Sequence, residues 1–273
     1  MYHNKNSKYL IWFAVMLYTV LALFWLYASL THKTGDYRLA FGATYGLMAL
    51  TGAVVGFSKA GQWGGRKSTM GLTILFLAIG LAFAEFGQLV FSYYNIVKQV
   101  EIPYPSLADV GFFGSIPLYI LGALYLGHTS GVKLSLKKPG IKLVAVIVPA
   151  LLVFSAYHFF LKGYDFKGTS ALQILLDFGY PIGQAIYVAV AVFVFLAVNS
   201  KLGGLMRSRI LLVLVAFVAQ FVADFNFLYQ NSHDTWVNGG YGDMLYLTAY
   251  FVMTISLIRL CAPITSSSAR EVT

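Results

Sequence analysis

The sequence predicts an all-α, polytopic membrane bundle of eight transmembrane helices. Three observations predict it. Hydrophobic residues make up 59% of the 273 positions and charged residues only 11%, against about 25% charged in a soluble domain. Apolar runs of about 20 residues recur along the whole chain, each long enough to cross a hydrocarbon core of roughly 30 Å. The alternating segments of about 10 residues that mark a membrane β-barrel do not occur.

The spans are expected near 9–30, 38–57, 70–95, 106–127, 141–161, 171–197, 208–230 and 241–260. The first, "YLIWFAVMLYTVLALFWLYASL", exceeds the apolar core of a signal peptide and is read as a retained span. The third carries Glu85 and ends in the Tyr-rich "FSYYN". The fourth is entered through "EIPYPSLADVGFFG", whose prolines fix φ in the loop and whose Ser106 can cap the helix. Pro117 and Pro181 fall inside the fourth and sixth spans, where they can kink a helix and free carbonyls. The bundle domain is expected to cover 1–262, followed by a disordered polar tail over 263–273. The single Cys261 excludes an internal disulfide, and an inert thiol is preferred there over a lipidation site.

Charge sets the expected orientation. Lys33, Arg38, Lys98, Lys162 and Lys167 lie on one side, and the other Lys and Arg residues lie on the opposite side. The richer side is cytoplasmic by the positive-inside rule. Both termini are then cytoplasmic, as an even number of spans requires. The net charge of +9 is a topology signal with affinity for anionic lipid heads. Basic residues dispersed over short loops make a nucleic-acid partner a poor reading.

The acids fall on the other side. Glu85, Asp109, Asp177, Asp224 and Asp243 lie in or at the ends of spans, in the outer half, and no span-interior Lys or Arg is available to neutralise them. An intramembrane carboxylate costs a few kcal/mol or more unless it faces protein, water or a partner. A shared, water-accessible pocket open to the outside is the expected arrangement. Two simpler readings stay open. Asp109 and Asp243 sit at helix N-termini and can cap them, and deeper acids can merely tie helices together.

A short pattern recurs among these acids. "DVGF" at 109–112, "DFGY" at 177–180 and "DMLY" at 243–246 each enter an even-numbered span, and "AEFG" at 84–87 matches "ADFN" at 223–226. Residues i and i+3 share a helix face, so a carboxylate is paired with Phe112, Tyr180 or Tyr246 one turn deeper. Hairpins 3–4 and 7–8 are read as related, with 5–6 a weaker copy; such repeats often frame a central site. Glu85, Asp109, Phe112, Asp177, Tyr180, Asp224, Asp243 and Tyr246 are therefore the candidate ligand-binding residues. Carboxylates with aromatic faces suit a small cationic or polar ligand. Most of the other outer aromatics are read as an interfacial belt.

Other chemistry is not indicated. His128 and His158 are not placed as paired haem ligands. No Lys lies in the interior of a span to carry retinal, and no zincin, nucleophile-elbow or P-loop motif occurs. An acid-only site for Ca²⁺ or Mg²⁺ from Glu85, Asp109, Asp224 and Asp243 is a minor option. No cofactor and no resident metal are expected.

"PYPSLADVGFF", "LDFGYPIG" and "ADFNFLY…GGYGDMLYLTAY" together resemble the multi-span N-terminal membrane region of bacterial signalling proteins that precedes PAS, GGDEF, EAL or histidine-kinase modules. The resemblance spans roughly residues 40 to 260. It implies an input module of the bacterial inner (cytoplasmic) membrane, sensing a stimulus through an outer pocket. This chain carries no output module, so a separate cytoplasmic partner, reading loops 128–142 and 198–209, is implied. The leading expectation is a receptor-like input module. A small-solute or proton-coupled transporter using Glu85, Asp177 and Asp224 is the first alternative, and an intramembrane enzyme using the carboxylates as acid and base is the second.

Overall fold

A computed structural model describes residues 2–31, 36–100, 102–129, 139–201 and 204–260. The expected tail 263–273, Cys261, and parts of both basic loops lie outside the described residues. What is described is helical, without a strand. The helices are α1 (Tyr2–Leu30), α2 (Asp36–Thr44), α3 (Leu47–Ala60), α4 (Thr69–Ser92), α5 (Leu107–Thr129), α6 (Pro139–Ala156), α7 (Ala171–Lys201), α8 (Gly204–Ser232) and α9 (Tyr241–Leu260).

Among the described residues, seven segments are long and apolar enough to cross a membrane: Asn6–Leu30, Asp36–Trp63, Thr69–Lys98, Leu107–Thr129, Ala171–Leu196, Arg207–Ser232 and Tyr241–Leu260. The eighth expected span, 141–161, is apolar, but the stretch Val146–Leu161 is shorter than the others.

The second span is a broken helix, not the single rod its apolar run suggested. α2 stops at Thr44, a turn follows at Tyr45 and Gly46, and α3 resumes at Leu47. The break faces α4. A Cβ on Gly46 would overlap the Glu85 carboxylate, so only glycine admits the carboxylate here. Two other helices end in a π-turn: α4 runs on through Tyr93–Lys98 and α6 through Tyr157–Leu161. Such wider turns leave carbonyls without their usual partners and occur often near functional sites.

The α4–α5 pair is closely packed at its glycines. A Cβ on Gly111 would collide with the backbone of Gly87 and Phe83, and one on Gly80 would enter the Tyr119 ring. Small residues let backbones approach, the means by which helices associate where no hydrophobic drive exists between them. α3 and α9 are joined at depth by Thr254, which donates its hydroxyl to Met48 O at 3.1 Å. α1 lies outermost. It leans on α9 through the Tyr18–Phe251 ring stack, centroids 4.4 Å apart, and exposes Trp12, Met16, Leu23 and Leu26 on its other face.

One end of the bundle carries the acids. There the start of α2 meets the α8–α9 loop, where Gly239 abuts the Arg38 backbone. The end of α1 joins them through Trp25 Nε1, which donates to Gly240 O at 3.1 Å. Below this acidic end the core is aromatic: Tyr119 packs edge-on against Tyr187 and Phe217.

Candidate functional site

Asp109 does two jobs. Ser106 stands before α5, and its Oγ accepts from Ala108 N at 3.2 Å. Asp109 Oδ2 reaches back to accept from Ser106 N at 2.7 Å, completing a reciprocal capping box. The other oxygen, Oδ1, accepts from the Tyr180 hydroxyl of α7 at 2.8 Å. Asp109 thus caps its own helix and also accepts from a neighbouring one. Asp243 also serves its helix end, accepting from Gly239 N at 2.6 Å, and Tyr45 lies beside it.

Asp177 is held at the surface by two loops. Tyr104 and Tyr164 donate to its two oxygens at 2.6 and 2.5 Å. The Tyr104 phenol is pushed above the ordinary tyrosine range, by burial first and by this hydrogen bond second. Tyr164 is raised by the Asp177 hydrogen bond foremost. A raised phenol pKa adds stability that is complete below the unfolded value, near 10, and is lost as pH climbs through the folded one. The clamp should therefore hold at all ordinary pH and release only in alkali. Asp177→Asn replaces one acceptor oxygen with an amide NH2 that only donates and weakens the other, and amide exchange across 162–170 is expected to quicken while the core of α9 is unchanged. Equal protection in both proteins would show that the clamp contributes nothing.

Asp224 lies at depth. It accepts from the Tyr187 hydroxyl at 2.7 Å and from Gln220 Nε2 at 3.0 Å, and Tyr246 lies beside it. Glu85 is only 6% exposed, and its Oε2 has no hydrogen-bond partner among the described residues. Tyr119, 1% exposed, likewise has an unpartnered hydroxyl.

Tyrosines link these carboxylates. Tyr104 stands within electrostatic reach of Asp177 and Asp109, and Tyr180 within reach of Asp109 and Asp224. Tyr250 stands within reach of Asp224, Glu85 and Asp243. Five acids from α4, α5, α7, α8 and α9 thus share one acid–tyrosine network, in which tyrosine hydroxyls donate to Asp177, Asp109 and Asp224, whereas Glu85 and Asp243 lie near Tyr250. A phenol suits this place because its ring is apolar and its hydroxyl donates without bringing a second buried charge.

Seven of the eight predicted residues belong to this network. Phe112 packs instead against Gly87 of α4; its neighbour Phe113 makes the ring contact with Tyr180, centroids 5.4 Å apart. The sequence reading left out Tyr45, Tyr119, Tyr164, Tyr187 and Tyr250 as site members. A usable signal was present for two of them. Asp177, Tyr180, Gln184 and Tyr187 recur at i, i+3, i+7 and i+10, and Asp243, Tyr246 and Tyr250 at i, i+3 and i+7, each a single helix face. No group of three or more His, Cys, Asp or Glu side chains is placed to hold a metal among the described residues.

A shallow crevice with room for about one water molecule lies between α2, the end of α4 and the α8–α9 loop, lined by Gly42, Ser92, Asn95 and Asn238 with Leu39 and Phe91. No family model, no curated protein and no solved structure matches this chain.

Proposed function

We propose that this chain is a receptor-like input module of the cytoplasmic membrane, whose acid–tyrosine network responds to a small polar or cationic ligand arriving from outside. The carrying observation is that tyrosine hydroxyls tie Asp109, Asp177 and Asp224 to neighbouring segments while the buried Glu85 Oε2 nearby stays unpartnered. A ligand that donates into this network changes the hydrogen bonds of several helices at once. In this reading the acidic end faces outward and both termini are cytoplasmic, because the basic residues concentrate at the opposite end. α6 with its π-turn is the remaining span, making eight. The likeness to membrane input regions of bacterial signalling proteins supports the same reading, with a separate cytoplasmic protein receiving the signal.

The test is thermal stability of the purified protein against a panel of amines, inorganic cations and neutral polar solutes. A ligand that binds only the folded state at 100 times its Kd stabilises by about 2.7 kcal/mol. One chemical class should raise the melting midpoint, and Asp224→Asn should abolish the rise. A flat response across the panel sinks the proposal. A carrier is the second reading, favoured by the break at Tyr45–Gly46 beside Glu85, since discontinuous helices frame many transport sites. Solute flux into reconstituted vesicles would replace the receptor reading with it.

A further inference from the structure

We infer that the crevice between α2 and α4 is the entrance to the site, and that it leads a small primary ammonium group to Glu85. The inference rests on the receptor reading and its outward-facing acidic end. It starts from spacing. Glu85, Gln88, Ser92 and Asn95 recur at i, i+3, i+7 and i+10 and so form one polar stripe along α4 and into its π-turn. Opposite the stripe, α2 and the turn after it present Gly42 and Gly46. The crevice borders Gly42, Ser92 and Asn95. One turn further in, Glu85 Oε2 points at Gly46, where a Cβ would displace it. The crevice and the unpartnered oxygen therefore lie on one seam between the same two segments.

Gln88 stands between them. It accepts from the Tyr45 hydroxyl at 2.7 Å and donates to Gly42 O, a carbonyl at the helix break. Gln88 is itself buried, 4% exposed, and this one side chain must rotate for the crevice to reach Glu85.

The chemistry of the seam selects the entrant. Ser92 Oγ is buried without a partner, Asn95 and Asn238 add carbonyl oxygens, and none of the crevice-lining residues is charged. The end of α4 adds the negative pole of its helix dipole. At the inner end waits a carboxylate oxygen with no donor. A compact group bearing several N–H donors and one positive charge satisfies these acceptors in turn. A crevice with room for about one water molecule has no room for a bulky quaternary ammonium.

The test uses the full chain in vesicles with Ser92→Cys in a Cys261→Ser background. Two thiol reagents of similar size are compared, 2-aminoethyl and 2-sulfonatoethyl methanethiosulfonate, each rate divided by that with a free thiol. The ammonium reagent is expected to be favoured about tenfold. Adding Glu85→Gln, which keeps shape and removes charge, should bring the ratio to within about twofold, and methylammonium should slow labelling only when Glu85 is present. Equal rates for the two reagents, or a preference that survives Glu85→Gln, overturns the inference. Selective labelling with no thermal response to any ligand keeps the entrance and removes the receptor reading. A thermal response to amines without selective labelling puts the ligand elsewhere and removes the entrance.

Discussion

Gly111→Val is expected to lower the stability of the bundle by about 3 kcal/mol, the upper part of the usual range for overpacking. The cause is the closeness of α4 and α5. The first atom added to Gly111 meets Gly87 N, Gly87 Cα and Phe83 O. These are backbone atoms, so no rotamer change relieves the clash. The helices must separate, and separation loosens the neighbouring Gly87–Phe112 contact. The effect reaches the site as well, because α4 carries Glu85 and α5 carries Asp109. Gly114 supplies the control. Its added Cβ would meet only the Phe83 ring, a side chain, and Gly114→Ala should cost clearly less. The check is the unfolding midpoint of the three purified proteins. A Gly111→Val midpoint equal to that of the parent would show that the α4–α5 approach is not tight.

Tyr187→Phe is expected to cost about 2 kcal/mol, because it leaves a buried carboxylate oxygen without its donor. Asp224 Oδ2 accepts from Tyr187 at 2.7 Å, and burial denies it water as a replacement. Gln220 serves the other oxygen, so it does not compensate without moving. Asp224→Leu in the same Tyr187→Phe protein removes the stranded acceptor. The double variant should therefore be more stable than the two single costs added together suggest, with a coupling of about 1–2 kcal/mol. Additive costs would mean that the hydrogen bond carries no net energy. Function is expected to separate from stability here. The double variant should fold well and fail to respond to ligand, because the hydrogen bond that ties Tyr187 of α7 to Asp224 of α8 is gone.

The short D-x-x-aromatic pattern was a better guide to the acids than to their partners. It identified Tyr180, yet Tyr180 donates to Asp109 on another helix and not to Asp177 on its own. Asp177 instead takes Tyr104 and Tyr164 from two loops. Spacing of i and i+3 puts two residues on one face, where they look outward together toward a neighbouring helix. Their partners are then whatever that neighbour presents, and a single helix does not reveal it. Phe112 follows the same rule: its face is turned to Gly87, and the ring that meets Tyr180 is the next one along.

Composition and the length of the apolar runs determined the helical membrane class, since only helices and closed barrels satisfy the backbone in so apolar a setting and the alternation of a barrel is missing. The positions of proline, serine and aspartate determined how α5 begins. The acids were also placed by sequence in one half of the bundle. The three-dimensional packing alone decided that tyrosines on different helices would join these acids, that the second span would break beside Glu85, and that one carboxylate oxygen would be left with no donor. Local signals act over a turn or two of chain. Hydrogen bonds between helices depend on how each is rotated and how closely glycine lets it approach, and those are properties of the assembled bundle.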